Sequence, residues 1–226
     1  MATEKNSSET VRRLNTPRAA AVAGILFALL FAASVTLIRT TIPDELTGGF
    51  DWVTSENTRL SAALFLMPLA GIAFLWFMGV IRDQMGELED RFFSTVFLGS
   101  GLLFLAMIFV AMAIVGGIMA LAELEMSEVV EPDVYLFGRA IMLQITNVYA
   151  LRMAGVFMSS LGTVWLRTGL MPRWLALLTY VLAAALLLVI NLSLWMTLIF
   201  PAWVFLISLL ILIRTLRKRA DKVGAA

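Results

Sequence analysis

Arg152 is the residue best placed to do chemistry. It lies inside the apolar run of the stretch Arg139 to Arg173, RAIMLQITNVYALRMAGVFMSSLGTVWLRTGLMPR, which reads as a membrane-spanning helix. A guanidinium at the centre of a span costs about 2.5–3.5 kcal/mol on insertion scales, so a charge there points to a ligand, an ion path or a partner. Gln144, Asn147, Tyr149 and Ser159 lie close by in sequence. They supply amide and hydroxyl groups to help Arg152 meet an anionic ligand. Trp165 and Arg167 mark one membrane interface, because indoles and arginines collect at headgroup level. Arg152 lies about 22 Å from Arg167 along a helix axis. In a hydrocarbon core about 30 Å thick it therefore sits roughly 8 Å below the other face.

The rest of the helix sorts into two faces. At about 100° per residue, Gln144, Arg152, Gly155, Ser159, Gly162 and Thr163 share one side. Leu143, Met153, Phe157, Leu161 and Val164 share the other. The pattern predicts that the polar and small face looks into a bundle and the apolar face into lipid. The plainer reading of the same face is close helix packing at the small residues, with Arg152 tied to a loop carboxylate.

Other chemistries are excluded or unspecific. The chain has no Cys and no His, which removes disulfides, thiolate nucleophiles, His-ligated haem, ordinary zinc sites and imidazole proton relays. Three groups of carboxylates stand out: Asp44, Glu45, Asp51 and Glu56; then Glu87, Glu89 and Asp90; then Glu123, Glu125, Glu128, Glu131 and Asp133. None has the spacing of an EF-hand, and solvated turns account for them. No metal, cofactor or nucleic-acid partner is expected, and an enzyme is the less favoured class.

The elements that must position Arg152 are membrane spans. Of the 226 residues 61% are hydrophobic and 15% charged, and the mean hydropathy is +0.92. Soluble domains run nearer 45–50% apolar and 25% charged. The fold class is all-α, a polytopic transmembrane helical bundle of about six spans. A tail over 1–18 precedes a membrane domain over 19–213, and a basic tail follows over 214–226. The spans are expected near 19–38, 60–81, 92–121, 139–167, 172–191 and 194–213. Ala20, Gly24, Ala28 and Ala32 form a small-residue stripe that lets another helix approach. Pro68 and Pro201 each remove a backbone hydrogen bond and are expected to bend spans two and six. Spans three and four exceed the roughly 20 residues needed to cross, so they tilt, break or project.

Six spans place the N-terminus, the 82–91 turn, the 167–173 turn and the C-terminus on one side. These carry thirteen of the Lys and Arg residues, against Arg39, Arg59 and Arg139 on the other. The positive-inside rule then puts both termini in the cytoplasm and Arg152 in the outer half.

The stretches WFMGVIRDQMGELEDRFFSTVFLGSG (76–101) and LRTGLMPRWLALLTYVLA (166–183) resemble small bacterial inner-membrane proteins of about six spans, classed as domains of unknown function. That resemblance implies an inner (plasma) membrane location and supplies no activity or residue roles. The expected function is non-catalytic: an accessory or packing protein in the lipid bilayer, bound to lipid, a protein partner or a second copy. The alternative is a small permease or ligand-binding protein with an outward recess around Arg152.

Overall fold

The structure, a computed structural model, describes residues 2–42, 58–85, 91–123, 132–169, 171–188 and 194–224. Every regular element among them is helical. In order these are α1 (Ala2–Thr41), α2 (Thr58–Met85), α3 (Arg91–Glu123), α4 (Pro132–Gln144), a π-helical segment (Ile145–Ala150), α5 (Leu151–Thr168), α6 (Arg173–Leu188), a 3-10 segment (Leu194–Leu198) and α7 (Ile199–Gly224). The loop carboxylates between 43 and 57, 86 and 90, and 124 and 131 lie outside the described residues.

Five helical stretches are long and apolar enough to cross a membrane: Arg18–Thr41, Thr58–Asp83, Phe92–Ala122, Asp133–Thr168 and Trp195–Arg217. The protein is therefore a multi-pass helical membrane protein. Arg173–Leu188 is a shorter apolar helix. The polar stretch before Arg18 continues the helix of the first span, since α1 begins at Ala2.

The helices form a bundle whose interior is layered along its length. α1 packs chiefly on α2 and α7, and α5 on α6 and α3. The middle layer is aromatic. The Phe74 ring centroid lies 4.7 Å from Phe27, 5.4 Å from Phe157, 5.6 Å from Phe200 and 5.7 Å from Phe104. Tilted and edge-on rings at such spacings add about 0.5–1.5 kcal/mol per pair beyond area burial. Toward the Arg167 end, Trp203 donates from Nε1 to Thr179 Oγ1 at 2.9 Å, and Thr179 donates on to Leu175 O at 2.8 Å. A buried indole N–H is thereby satisfied, and α7 is tied to α6. Arg167 covers the Phe93 ring at 4.6 Å, capping this end with a cation–π contact. Toward the Arg39 end, Ser34 Oγ donates to Ala63 O at 2.7 Å and joins α1 to α2.

α3 and the α4–α5 stretch are the long members, at 31 and 36 apolar-rich residues. At 1.5 Å per residue both exceed a core about 30 Å thick. Their ends near Arg139 pack on each other: Tyr135 is buried against Ile118, and Gly138 faces Ile118 and Ile114. α5 stops at Gly169, whose φ of 66° is the left-handed conformation that ends a helix, its N–H bonding Trp165 O at 2.9 Å.

One expectation about α5 is overturned. Phe157 and Leu161 are 0% exposed and Val164 is 4% exposed, so the face assigned to lipid is the one that fills the core. The small residues do face a neighbour, but a peripheral one. A Cβ on Gly155 would meet Leu187 and the Ala183 carbonyl, and one on Gly162 would approach Thr179 and Tyr180. α5 is thus gripped on two sides, large residues inward and small residues against α6. A two-face reading has no place for that.

The stripe on α1 is used where α1 meets α7. Ala20, Gly24 and Ala28 are buried, and a Cβ at Gly24 would collide with Ser208 Oγ and the Phe77 ring. Gly79 has open space in the same place. Glycine to alanine in a helix interior gains about 0.5–1 kcal/mol of propensity, whereas overpacking a core costs about 1–3 kcal/mol. Gly24→Ala is expected to lower the melting temperature in detergent and Gly79→Ala to raise it slightly. Equal shifts for the two would mean that α1 and α7 do not meet at Gly24.

Candidate functional site at the Arg39 end of the bundle

Two interruptions of regular helix meet inside the bundle. In the first, Leu151 N–H bonds Thr146 O, five residues back, across Ile145–Ala150. The wide turn slips one extra residue into the helix, so the inward face changes register. Before it, Tyr135, Arg139, Met142 and Thr146 are buried; after it, Leu151, Ala154, Met158, Leu161 and Trp165 take over. Asn147 is drawn inside at 4% exposure, and Tyr149 is turned out at 55%. Single π turns of this kind recur at functional sites.

The second interruption is the 3-10 segment Leu194–Leu198. Pro201 follows as the third residue of α7. With no N–H, it cannot complete an α-helical bond to Thr197 O, and a tighter turn ahead of it is the natural response. Pro201 therefore sits in the first turn of α7, where proline is tolerated, and marks a helix start more than a mid-span bend. Pro68, by contrast, lies well inside α2 on its exposed side.

The two segments touch. Thr197 Oγ1 donates to Asn147 Oδ1 at 3.4 Å, both residues being buried. That is long for an O–H···O bond, which favours about 2.7–2.8 Å. Thr146, 4% exposed, carries a buried hydroxyl without a hydrogen-bond partner. Beside them is a cavity of about 10 Å³, lined by Val35, Ile38, Met67, Ile108, Met112, Met142, Thr146 and Thr197. Nearer the bundle end, Arg39 lies over the Trp195 ring at 5.7 Å. Arg139 is 7% exposed, on the same face as Met142 and Thr146, and it is partnered.

The residues singled out from sequence fall in different places. Asn147 is interior and belongs to this constellation. Gln144 is exposed, as is Tyr149. Ser159 is half-buried and bonds its own helix, donating to Gly155 O and Val156 O, each at 3.0 Å. Arg152 is half-buried, and among the described residues its hydrogen bond is from Nη1 to Val148 O at 3.0 Å, on its own helix. The five do not converge on one recess. Sequence reasoning missed Arg139, Thr146 and Thr197. Arg139 was read as a span-end flank, although its spacing to Met142 and Thr146 marks one helix face. Thr197, four residues before Pro201, was the other available signal.

Chemically the constellation offers hydroxyls, an amide and backbone carbonyls, groups that bind by hydrogen bonding. Among the described residues no cluster of Asp, Glu, His or Cys is arranged to hold a metal ion. No protein-family model, curated protein or solved structure matches this chain.

The two intramembrane arginines are expected to respond oppositely. Arg152→Leu removes a charge that is bonded only to its own turn among the described residues, and insertion scales charge up to about 3 kcal/mol for such a group. Its melting temperature should hold or rise. Arg139→Leu removes a buried guanidinium that has a partner, and leaving a buried partner group unsatisfied costs about 1–3 kcal/mol, so its melting temperature should fall. Thermal unfolding of the two variants in one detergent checks this. A larger loss at Arg152 would reverse the assignment.

Proposed function

We propose that the protein is a non-catalytic bacterial inner-membrane protein of six spans, with both termini cytoplasmic. On this reading it acts as a packing or accessory element that binds lipid and a protein partner or a second copy. The observation that carries this is the filled centre of the bundle. Phe27, Phe31, Phe74, Phe104, Phe157 and Phe200 are each 0–1% exposed. A solute route through this level has to displace several rings in close mutual contact, and packed cores resist such displacement.

The span count rests on α6. Its 16 residues rise about 24 Å, and the apolar sequence continues through Ile190 before the next helix begins at Leu194. Orientation rests on the charge bias: thirteen Lys and Arg residues belong to one end, and only Arg39, Arg59 and Arg139 to the other. The bundle exterior is apolar where it would meet acyl chains, with Leu29, Phe65, Ile72, Trp76 and Val181 all more than half exposed. Trp174 and Trp195, exposed near opposite ends, suit the two headgroup layers.

The second reading is a small permease or ligand-binding protein that takes an anionic group at Arg152. It draws on the guanidinium's single hydrogen bond to Val148 O among the described residues, which leaves its other donors for an incoming anion.

Two experiments separate these. The chain has no cysteine, so single cysteines report side directly. Ser7→Cys and Ala226→Cys are expected to resist a membrane-impermeant maleimide in intact cells, while Thr54→Cys reacts; labelling of either terminus overturns the orientation. Purified protein in liposomes is expected to hold a gradient of small organic anions as tightly as protein-free vesicles. Protein-dependent efflux that Arg152→Ala abolishes would move the assignment to the permease.

A further inference from the structure

We infer that Arg152 and Tyr149 bind the phosphate of a phospholipid in the leaflet at the Arg39 end, the outer leaflet on the lipid-binding reading proposed above. Depth is the first ground. Arg167, over the Phe93 ring, marks the opposite end of this helical stretch. Arg152 leans away from it: Nη1 donates to Val148 O at 3.0 Å, one turn toward the Arg39 end. Helical side chains point toward their own N-terminus, and a long cation that does so near a span end is snorkelling. Val148 lies about 28 Å from Arg167 at 1.5 Å per residue, close to the full thickness of a hydrocarbon core of about 30 Å. The guanidinium therefore stands at the acyl boundary. Its neighbours agree with that level. Tyr149 and Trp195 are both exposed, and the contact between Thr197 and Asn147 holds their two segments at one height. Amphipathic rings collect at headgroups, and Arg39 lies over the Trp195 ring there.

The chemistry at that height is phosphate. Among the described residues Arg152 donates to Val148 O, so most of its five N–H donors are left for an anion. A guanidinium fork matches two phosphate oxygens at once. Tyr149, three residues earlier, is a surface neighbour of Arg152 and adds a phenolic O–H. The π turn is what brings that ring outward. A path for acyl chains adjoins. α6 packs against α5 at Gly155, where a Cβ would meet Leu187 and the Ala183 carbonyl. The same helix exposes Leu177, Val181 and Leu188, each by more than half, and their spacings of four and seven residues set them on one stripe. A free solute anion carries the same oxygens but no chains for that stripe. At this depth the phosphates at hand are those of the bilayer.

The intact protein and Arg152→Leu are compared in maltoside micelles, which carry no phosphate, with the melting temperature followed as phosphatidylglycerol is titrated in. The half-saturating lipid concentration is expected to be roughly fivefold higher for the variant, since one basic residue near a headgroup contributes about 1 kcal/mol. Diacylglycerol with the same chains, and inorganic phosphate, are expected to leave the two proteins alike. Equal phosphatidylglycerol titrations would overturn the inference. A stabilisation by inorganic phosphate that Arg152→Leu abolishes would show a free-anion site and overturn it as well, and so would diacylglycerol separating the proteins as strongly as phosphatidylglycerol does. Arg152→Gln gives the same comparison where the leucine variant does not purify. The second readout is a high-resolution map in phosphatidylglycerol nanodiscs. Headgroup density at about 2.7–3.2 Å from both the Arg152 guanidinium and the Tyr149 hydroxyl is expected; a map without it refutes the site independently of melting. Reversed cysteine labelling, by contrast, overturns the orientation and leaves the phosphate site standing.

Discussion

Hydrocarbon offers no hydrogen bonds, so every backbone group that leaves the α-helical ladder inside a membrane must be satisfied by protein or by water that protein encloses. The architecture at the Arg39 end follows from that constraint. Pro201 withholds a donor from Thr197 O, and the chain ahead of it tightens into a 3-10 turn. The π turn at Ile145–Ala150 diverts its own bonds to the fifth residue. Each interruption has a buried side, although Tyr149 and Trp195 within them are exposed. The interruptions face each other, with Asn147 and Thr197 in contact between them. The two local departures meet at one buried contact between their side chains.

The same solvent removes the usual reason for helices to associate. Acyl chains are as apolar as leucine, so helices hold together through close packing and buried hydrogen bonds. This bundle uses both. Its centre is a set of interlocked rings around Phe74, and its periphery depends on residues without side-chain bulk. Gly24 lets α1 approach α7, and Gly155 lets α5 approach α6. Sparse polar ties fix the register: Ser34 to Ala63 O, Trp203 to Thr179, and a contact of 2.6 Å between the Thr163 and Tyr180 hydroxyls.

The helical, membrane-spanning character was legible in the sequence because hydropathy acts over some twenty residues and averages out local detail. The α1 stripe was legible for a related reason: Ala20, Gly24 and Ala28 repeat every four residues, and any close neighbour must use them. The inward face of α5 was not. The projection at 100° per residue assumed unbroken helix from Gln144 to Val164, and the π turn inserts a residue between them. It also assumed one buried face, whereas α5 has α3 on one side and α6 on another. Arg139 escaped notice through its position in the chain. Counted as the flank of a span, it lies instead within a helical stretch that begins at Asp133 and packs against α3. Depth read from a span end is only as good as the assumed end.

Backbone hydrogen exchange, resolved by mass spectrometry on protein in nanodiscs, tests the central claim most directly: the bundle has a filled aromatic middle and is irregular only toward the Arg39 end. Amides flanking Phe74, Phe104 and Phe157 should resist exchange for hours, while those of 145–151 and 194–198 exchange measurably faster. Rapid exchange through the ring layer, equal to that of the two irregular turns, would mean that water passes the centre and that a route runs where the rings are placed.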